Sequence, residues 1–158
     1  MGPIATGLLM GIAGTAAMDV LAFAQARTGV APAPNWAMPG RWAAHAARGR
    51  VFHDDIAAAA PVAGELRLGW AFHYAVGIVY GVVFALLAGP GWLAAPSFLP
   101  VWLFALATIA AGWFLLQPGM GLGWAGARTE APWTGRARGL LAHTAFGLGM
   151  WAAAVAAA

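Results

Sequence analysis

The sequence has no cysteine, no lysine and few charges of either sign: five acidic residues and eight basic ones, all arginine, together 8% of 158 residues. Without cysteine there is no disulfide framework, no thiolate metal site and no thiol nucleophile. No nucleophile stands at a readable spacing from a base, and neither a nucleophile elbow nor an H-E-x-x-H occurs, so the residues favour a protein that is not an enzyme. A charged fraction this far below the usual value of about 25% excludes an ordinary globular domain. The hydrophobic fraction of 62% points instead to a membrane protein. The net charge of +3 is not a nucleic-acid signal. The arginines flank apolar runs and form no basic stripe interleaved with aromatics.

Four apolar runs, residues 4–26, 68–88, 98–117 and 139–158, are long enough at about 1.5 Å per residue to cross a hydrocarbon core of roughly 30 Å. The expected fold is all-α: a single four-helix membrane domain over 1–158, with polar connections at 27–67 and 118–138. No basic residue precedes the first run and Asp19 interrupts it, whereas a secretory signal has a basic start and a clean apolar centre; this run is expected to be a retained helix. Gly89-Pro90-Gly91-Trp92 ends the second run, and an uncharged hairpin leads to the third. Gly7 with Gly11 and Gly77 with Gly81 are G-x-x-x-G spacings, which allow helices to approach closely.

The arginines give an orientation. Arg27, Arg41, Arg48, Arg50 and Arg67 flank the first connection and Arg128, Arg136 and Arg138 the last, while none lies near either terminus or the central hairpin. By the positive-inside rule both connections are expected in the cytoplasm and both termini outside, in a bacterial inner membrane. Trp36, Trp42, Trp124 and Trp133 would form the inner interfacial belt and Trp92 part of the outer one. Residues 40–48 read as a short interfacial helix, with Trp42 dipping toward lipid while Arg41 and Arg48 face headgroups. Gly121-Leu122-Gly123-Trp124-Ala125-Gly126 has the form of a dinucleotide fingerprint. It follows a membrane helix and a proline, not a strand, and reads as flexible backbone at the membrane surface.

Only four histidines exist, and two share a context: Gly69, His73, Ala75 and Gly77 recur as Gly139, His143, Ala145 and Gly147 in a G-x-x-x-H-x-A-x-G pattern. On a helix the glycines lie one turn above and below the imidazole, which suggests room around it. Ala26-Arg27-Thr28 is likewise echoed by Ala127-Arg128-Thr129. The echoes suggest two similar helical hairpins related by an axis along the membrane normal. Counted from the flanking arginines, Asp19, His73 and His143 would share a layer roughly 8 to 12 Å inside the cytoplasmic boundary.

A carboxylate within a membrane helix costs about 2.5 to 3.5 kcal/mol on insertion scales and is by default a functional hypothesis. One reading is a small transport or proton-coupled membrane protein, with Asp19, His73 and His143 as its intramembrane site and Glu65, Gln117 and Arg67 at the cytoplasmic mouth. His45, His53 and Asp54 form a second polar set, in the first connection. Another reading makes the His73/His143 pair axial ligands of haem b, the glycines giving space to the macrocycle, or ligands of a divalent metal with Asp19 as third partner. A third leaves these groups to hold the bundle together within a larger membrane complex. The partners expected are the lipid bilayer and either a second copy of the chain or a membrane partner subunit.

Gly40-Arg41-Trp42 with His45, Gly49-Arg50 with Phe52-His53-Asp54, Gly64-Glu65, Gly69-Trp70 with His73-Tyr74, Gln117-Pro118-Gly119-Met120-Gly121, Arg128-Thr129, and His143 with Phe146-Gly147 stand together in this chain. In these residues it resembles the bacterial small membrane proteins catalogued as domain of unknown function 2938. The resemblance covers nearly the whole chain, and the Gln-Pro-Gly-Met-Gly turn is its most distinctive element. It implies a four-helix inner-membrane protein and no particular activity.

Overall fold

Pro3 lacks an amide hydrogen, which costs nothing at the first position of a helix. It opens α1, Pro3–Arg27, in a computed structural model that describes all residues from Met1 to Ala158. The helix stops where Gly29 takes a φ of 73°. There the Gly29 amide donates to the Ala26 carbonyl and the Val30 amide to that of Gln25, the paired closure that a left-handed glycine permits. Four more helices follow: α2, Ala37–Ala46; α3, Glu65–Ala94; α4, Phe98–Gly119; and α5, Pro132–Ala157. There is no strand.

Helices α1, α3, α4 and α5 are each long and apolar enough to cross a membrane. Only between 17% and 33% of each apolar stretch is buried inside the protein. Leu87 is 75% exposed and Val20 71%. Apolar surface on this scale is unstable in water, and it fits a multi-pass protein surrounded by lipid. Helix α3 ends its regular course at Gly89, whose φ of 73° and ψ of 175° break it before Pro90, as the Gly-Pro-Gly-Trp sequence suggests. In α4, residues Gly112–Leu116 form a wide π turn closed by the Gln117 amide on the Gly112 carbonyl. Pro118 follows, and its ring would otherwise press on the carbonyl one turn back; the widened turn relieves that clash. Helix α5 begins at Pro132, earlier than its apolar run at 139, because a proline at a helix start carries the first turns out of the polar segment.

The contacts divide the chain into two compact units. The first comprises Met1–Pro34, Tyr74–Thr108 and Leu140–Ala158. Its core is Met10 of α1, Phe84 and Ala85 of α3, Val101 and Ala105 of α4, and Phe146, Met150 and Ala154 of α5. The two G-x-x-x-G spacings meet within it. A Cβ on Gly11 would come within 2.5 Å of Ile78 Cα, and one on Gly7 within 2.6 Å of Val82 Cα. Bare backbone therefore packs on bare backbone where α1 and α3 cross.

The second unit comprises Asn35–His73 and Ile109–Gly139, with a core of Trp42, Ile56 and Met120. The two arginine-rich stretches are bonded to each other here. The His53 amide donates to the Gly119 carbonyl at 3.0 Å and the Ile56 amide to that of Met120 at 3.1 Å. Gly119 must be glycine at this junction, since a Cβ would run into the Trp42 indole and the Val51 carbonyl.

Candidate functional site

In the second unit, α2 delivers Arg41 and Trp42 from one turn and His45 from the next. Arg41 is 7% exposed. Its Nε and Nη2 donate to the two Glu65 carboxylate oxygens, each at 2.8 Å. Its Nη1 donates to the carbonyls of Ile56, Ala57 and Ala59 at 3.2, 3.0 and 3.1 Å. One planar guanidinium thus ties the start of α3 to the loop that precedes it, a fork that only arginine supplies. The hydrogen-bonded Glu65 carboxylate raises the Arg41 pKa above its already high ordinary value, so the group stays charged. Glu65 also accepts the Val62 amide at 3.1 Å.

The same helix brings His45 to His53. His45 Nδ1 lies 3.1 Å from His53 Nε2, with the rings tilted at 52°. The outer nitrogens face carbonyl oxygens: His45 Nε2 that of Ala60 at 3.0 Å, and His53 Nδ1 that of Gly119 at 3.1 Å. His53 is buried. Asp54, grouped with these histidines in the sequence, is exposed, and it is its backbone carbonyl that meets Gly121.

Asp19 and His143 belong to the first unit and His73 to the second. Asp19 is 9% exposed and accepts the Tyr74 hydroxyl at 2.8 Å. His143 Nδ1 lies 2.9 Å from the Ala105 carbonyl and 3.1 Å from Thr108 Oγ1, while Thr108 itself donates to Ala105 at 2.7 Å. A carbonyl only accepts, so His143 carries a hydrogen on Nδ1. His73 stacks on Trp36 with ring centres 3.9 Å apart. No group of three or more His, Asp or Glu side chains is disposed to hold a metal ion.

Several expectations need correcting. The glycines flanking the two histidines do not leave vacant space. A Cβ at Gly69 would strike the Trp36 carbonyl, one at Gly77 the Thr15 hydroxyl, and one at Gly147 would lie 3.1 Å from the Ala105 side chain. Gly77 and Gly147 are helix-contact positions and Gly69 packs on Trp36 just ahead of α2, so the room imagined for a macrocycle is filled at these three; at Gly139 a Cβ would make ordinary contacts with Ile109 and Trp113. Trp42 does not dip toward lipid but is buried, donating to the Val51 carbonyl at 2.8 Å. Arg41 faces a carboxylate and three carbonyls, not headgroups. Glu65 binds this distant arginine, and Arg67, two positions away, is exposed. The Gln-Pro-Gly-Met-Gly turn is the bonded partner of the first connection, and the glycine-rich stretch after it is likewise fixed by the Arg128 amide on the Leu122 carbonyl at 2.9 Å. Gln117 holds its Oε1 buried without a hydrogen-bond donor. Two side chains were given no role from the sequence: Tyr74, noted only beside His73 in the family pattern, and Thr108, whose one signal was a hydroxyl in a charge-free run.

The chain belongs to the family described as protein of unknown function (DUF2938), which matches residues 8–157, nearly its full length. No curated protein and no solved structure matches it.

Proposed function

We propose that this is a small proton-coupled membrane protein in which Asp19 is the group that takes up and releases the proton. The observation that carries this reading is the buried Asp19 carboxylate in an otherwise apolar spanning helix, held by the Tyr74 hydroxyl at 2.8 Å. A carboxylate that serves no purpose is expensive there. His143 of the same unit, bonded through Nδ1 to the Ala105 carbonyl, is the second ionisable group of the proposed set.

The arginine-rich connections are assigned to the cytoplasm of a bacterial inner membrane, which places the Pro3 end of α1 and the Ala157 end of α5 outside. Glu65, Gln117 and Arg67 would then stand on the cytoplasmic side. Four helices enclose little space, so the working unit is a homo-oligomer or includes a partner subunit.

The test uses the full chain in liposomes with an internal pH dye, together with infrared difference spectra on changing pH. The expected results are dissipation of an imposed pH gradient and a protonated-carboxyl band, both missing in Asp19→Asn. A wild type lacking that band at every pH that leaves it folded would end the proposal.

A further inference from the structure

We propose that His45 and His53 form a proton-binding site in the second unit, holding one proton beyond their neutral complement and sharing it between His45 Nδ1 and His53 Nε2. This stands independently of whether protons cross the membrane.

Counting hydrogens leads to it. Four ring nitrogens make three contacts: His45 Nε2 with the Ala60 carbonyl, His53 Nδ1 with the Gly119 carbonyl, and the two inner nitrogens with each other at 3.1 Å. Carbonyl oxygens only accept, so both outer nitrogens must carry hydrogen. A neutral imidazole carries one. If both rings are neutral, that hydrogen is spent on the carbonyl and two lone pairs face each other across the inner contact. Turning either proton inward merely moves the clash to a carbonyl. Three hydrogen bonds need three protons, and two neutral rings have two. The third makes the pair a monocation.

Burial raises the stakes, because His53 is 6% exposed and an unmade bond there goes unreplaced by water. The charged groups around the pair come from three elements. From α2 comes Arg41, fully engaged by Glu65 and carbonyls, with Arg48 and Arg50 exposed beyond the helix. The start of α3 presents Glu65, close enough for its charge to act on His45. Beyond His53 come Asp54 and Asp55, both exposed, the latter accepting the Ala57 amide at 2.8 Å. The Gln117–Leu122 turn that His53 bonds carries no charge.

The structural consequence is that the proton closes a chain running from the Ala60 carbonyl through both rings to the Gly119 carbonyl. It joins His45 of α2 to His53, whose Nδ1 is held by the Gly119 carbonyl, and without it the middle bond of that chain is missing.

Full-length protein labelled with ¹⁵N-histidine in detergent micelles tests this. In the folded protein we expect three of the four ring nitrogens of the pair to be protonated, with a scalar coupling between His45 Nδ1 and His53 Nε2 across the shared hydrogen. Raising the pH should remove one proton and move the signals of both rings together. In His45→Gln, which keeps a donor for the Ala60 carbonyl, the coupling should vanish and the remaining His53 should be neutral. Two protons on the wild-type pair at every pH that leaves it folded, with no coupling, overturns the proposal. So does an identical His53 titration in wild type and His45→Gln.

Discussion

Gly11→Leu is expected to abolish the folded protein, leaving aggregate in place of a monodisperse peak on size-exclusion chromatography in mild detergent. A Cβ at this position would come within 2.5 Å of the Gly77 carbonyl oxygen and of Ile78 Cα. Both are backbone atoms of α3, so no rotamer change can relieve the contact and the helices must separate. Overpacking in a core typically costs about 1 to 3 kcal/mol when side chains can adjust. Here a whole leucine must fit where even its first carbon does not. Separating α1 from α3 would also strip the neighbouring core around Met10 and Phe84, in a protein whose total stability is on the order of 5 to 15 kcal/mol. Gly11→Ala isolates the first carbon and is expected to lose about 1 to 3 kcal/mol, read as a lower midpoint of thermal unfolding. Gly135→Leu is the control, since nothing lies within 4 Å of a Cβ there. If Gly11→Ala melts like the wild type, the close crossing of α1 and α3 is wrong.

How much of this was legible beforehand depends on the range over which each signal acts. The spans were readable because a run of apolar residues must be helical and long to satisfy its own backbone in lipid, a constraint local to each segment. The Gly89-Pro90 break was readable for the same reason. The spacings of Gly7 with Gly11 and of Gly77 with Gly81 marked surfaces for close approach, but that they face each other is visible only in the fold. The histidine echo shows where such reading stops. Identical local patterns around His73 and His143 say which residues share a helix face and nothing about what covers that face. One imidazole lies on the Trp36 ring, the other bonds Ala105 and Thr108. The glycines looked like space from within one helix, but the neighbouring backbone fills it. In the connections, charge suggested that Arg41 and Arg48 face headgroups, and Arg41 departs from that because a carboxylate 24 residues away and three carbonyls converge on it. No periodicity encodes that convergence. The pairing of His45 with His53 is different again: both were noted as one polar set, but which nitrogen faces which atom, and hence the extra proton, is a matter of angstroms.

The convergence on Arg41 gives the second large effect. Arg41→Glu combined with Glu65→Arg is expected to remain as protease-sensitive as either single reversal, instead of recovering. If the pair acted only through opposite charges, exchanging them would restore the attraction. Arg41, however, also donates through Nη1 to the Ile56, Ala57 and Ala59 carbonyls, and a glutamate there would set a carboxylate against three acceptors with no hydrogen to share. The arginine moved to 65 would in turn meet the Val62 amide, a donor facing a donor. Arg41→Lys is expected to fall between wild type and Arg41→Ala: it keeps the charge, but three hydrogens on a single nitrogen cannot bridge both carboxylate oxygens and reach the carbonyls as well. The measurement is trypsin cleavage after Arg48 and Arg50, exposed residues just beyond α2, whose segment is held in place on its far side by Trp42, His53 and Ile56 bonding to Val51, Gly119 and Met120. Cleavage should accelerate in the order wild type, Arg41→Lys, Arg41→Ala, with the double reversal no slower than Arg41→Ala. Recovery of wild-type resistance in the double reversal would mean that charge alone holds α2 to the start of α3, and that the carbonyl contacts contribute nothing to it.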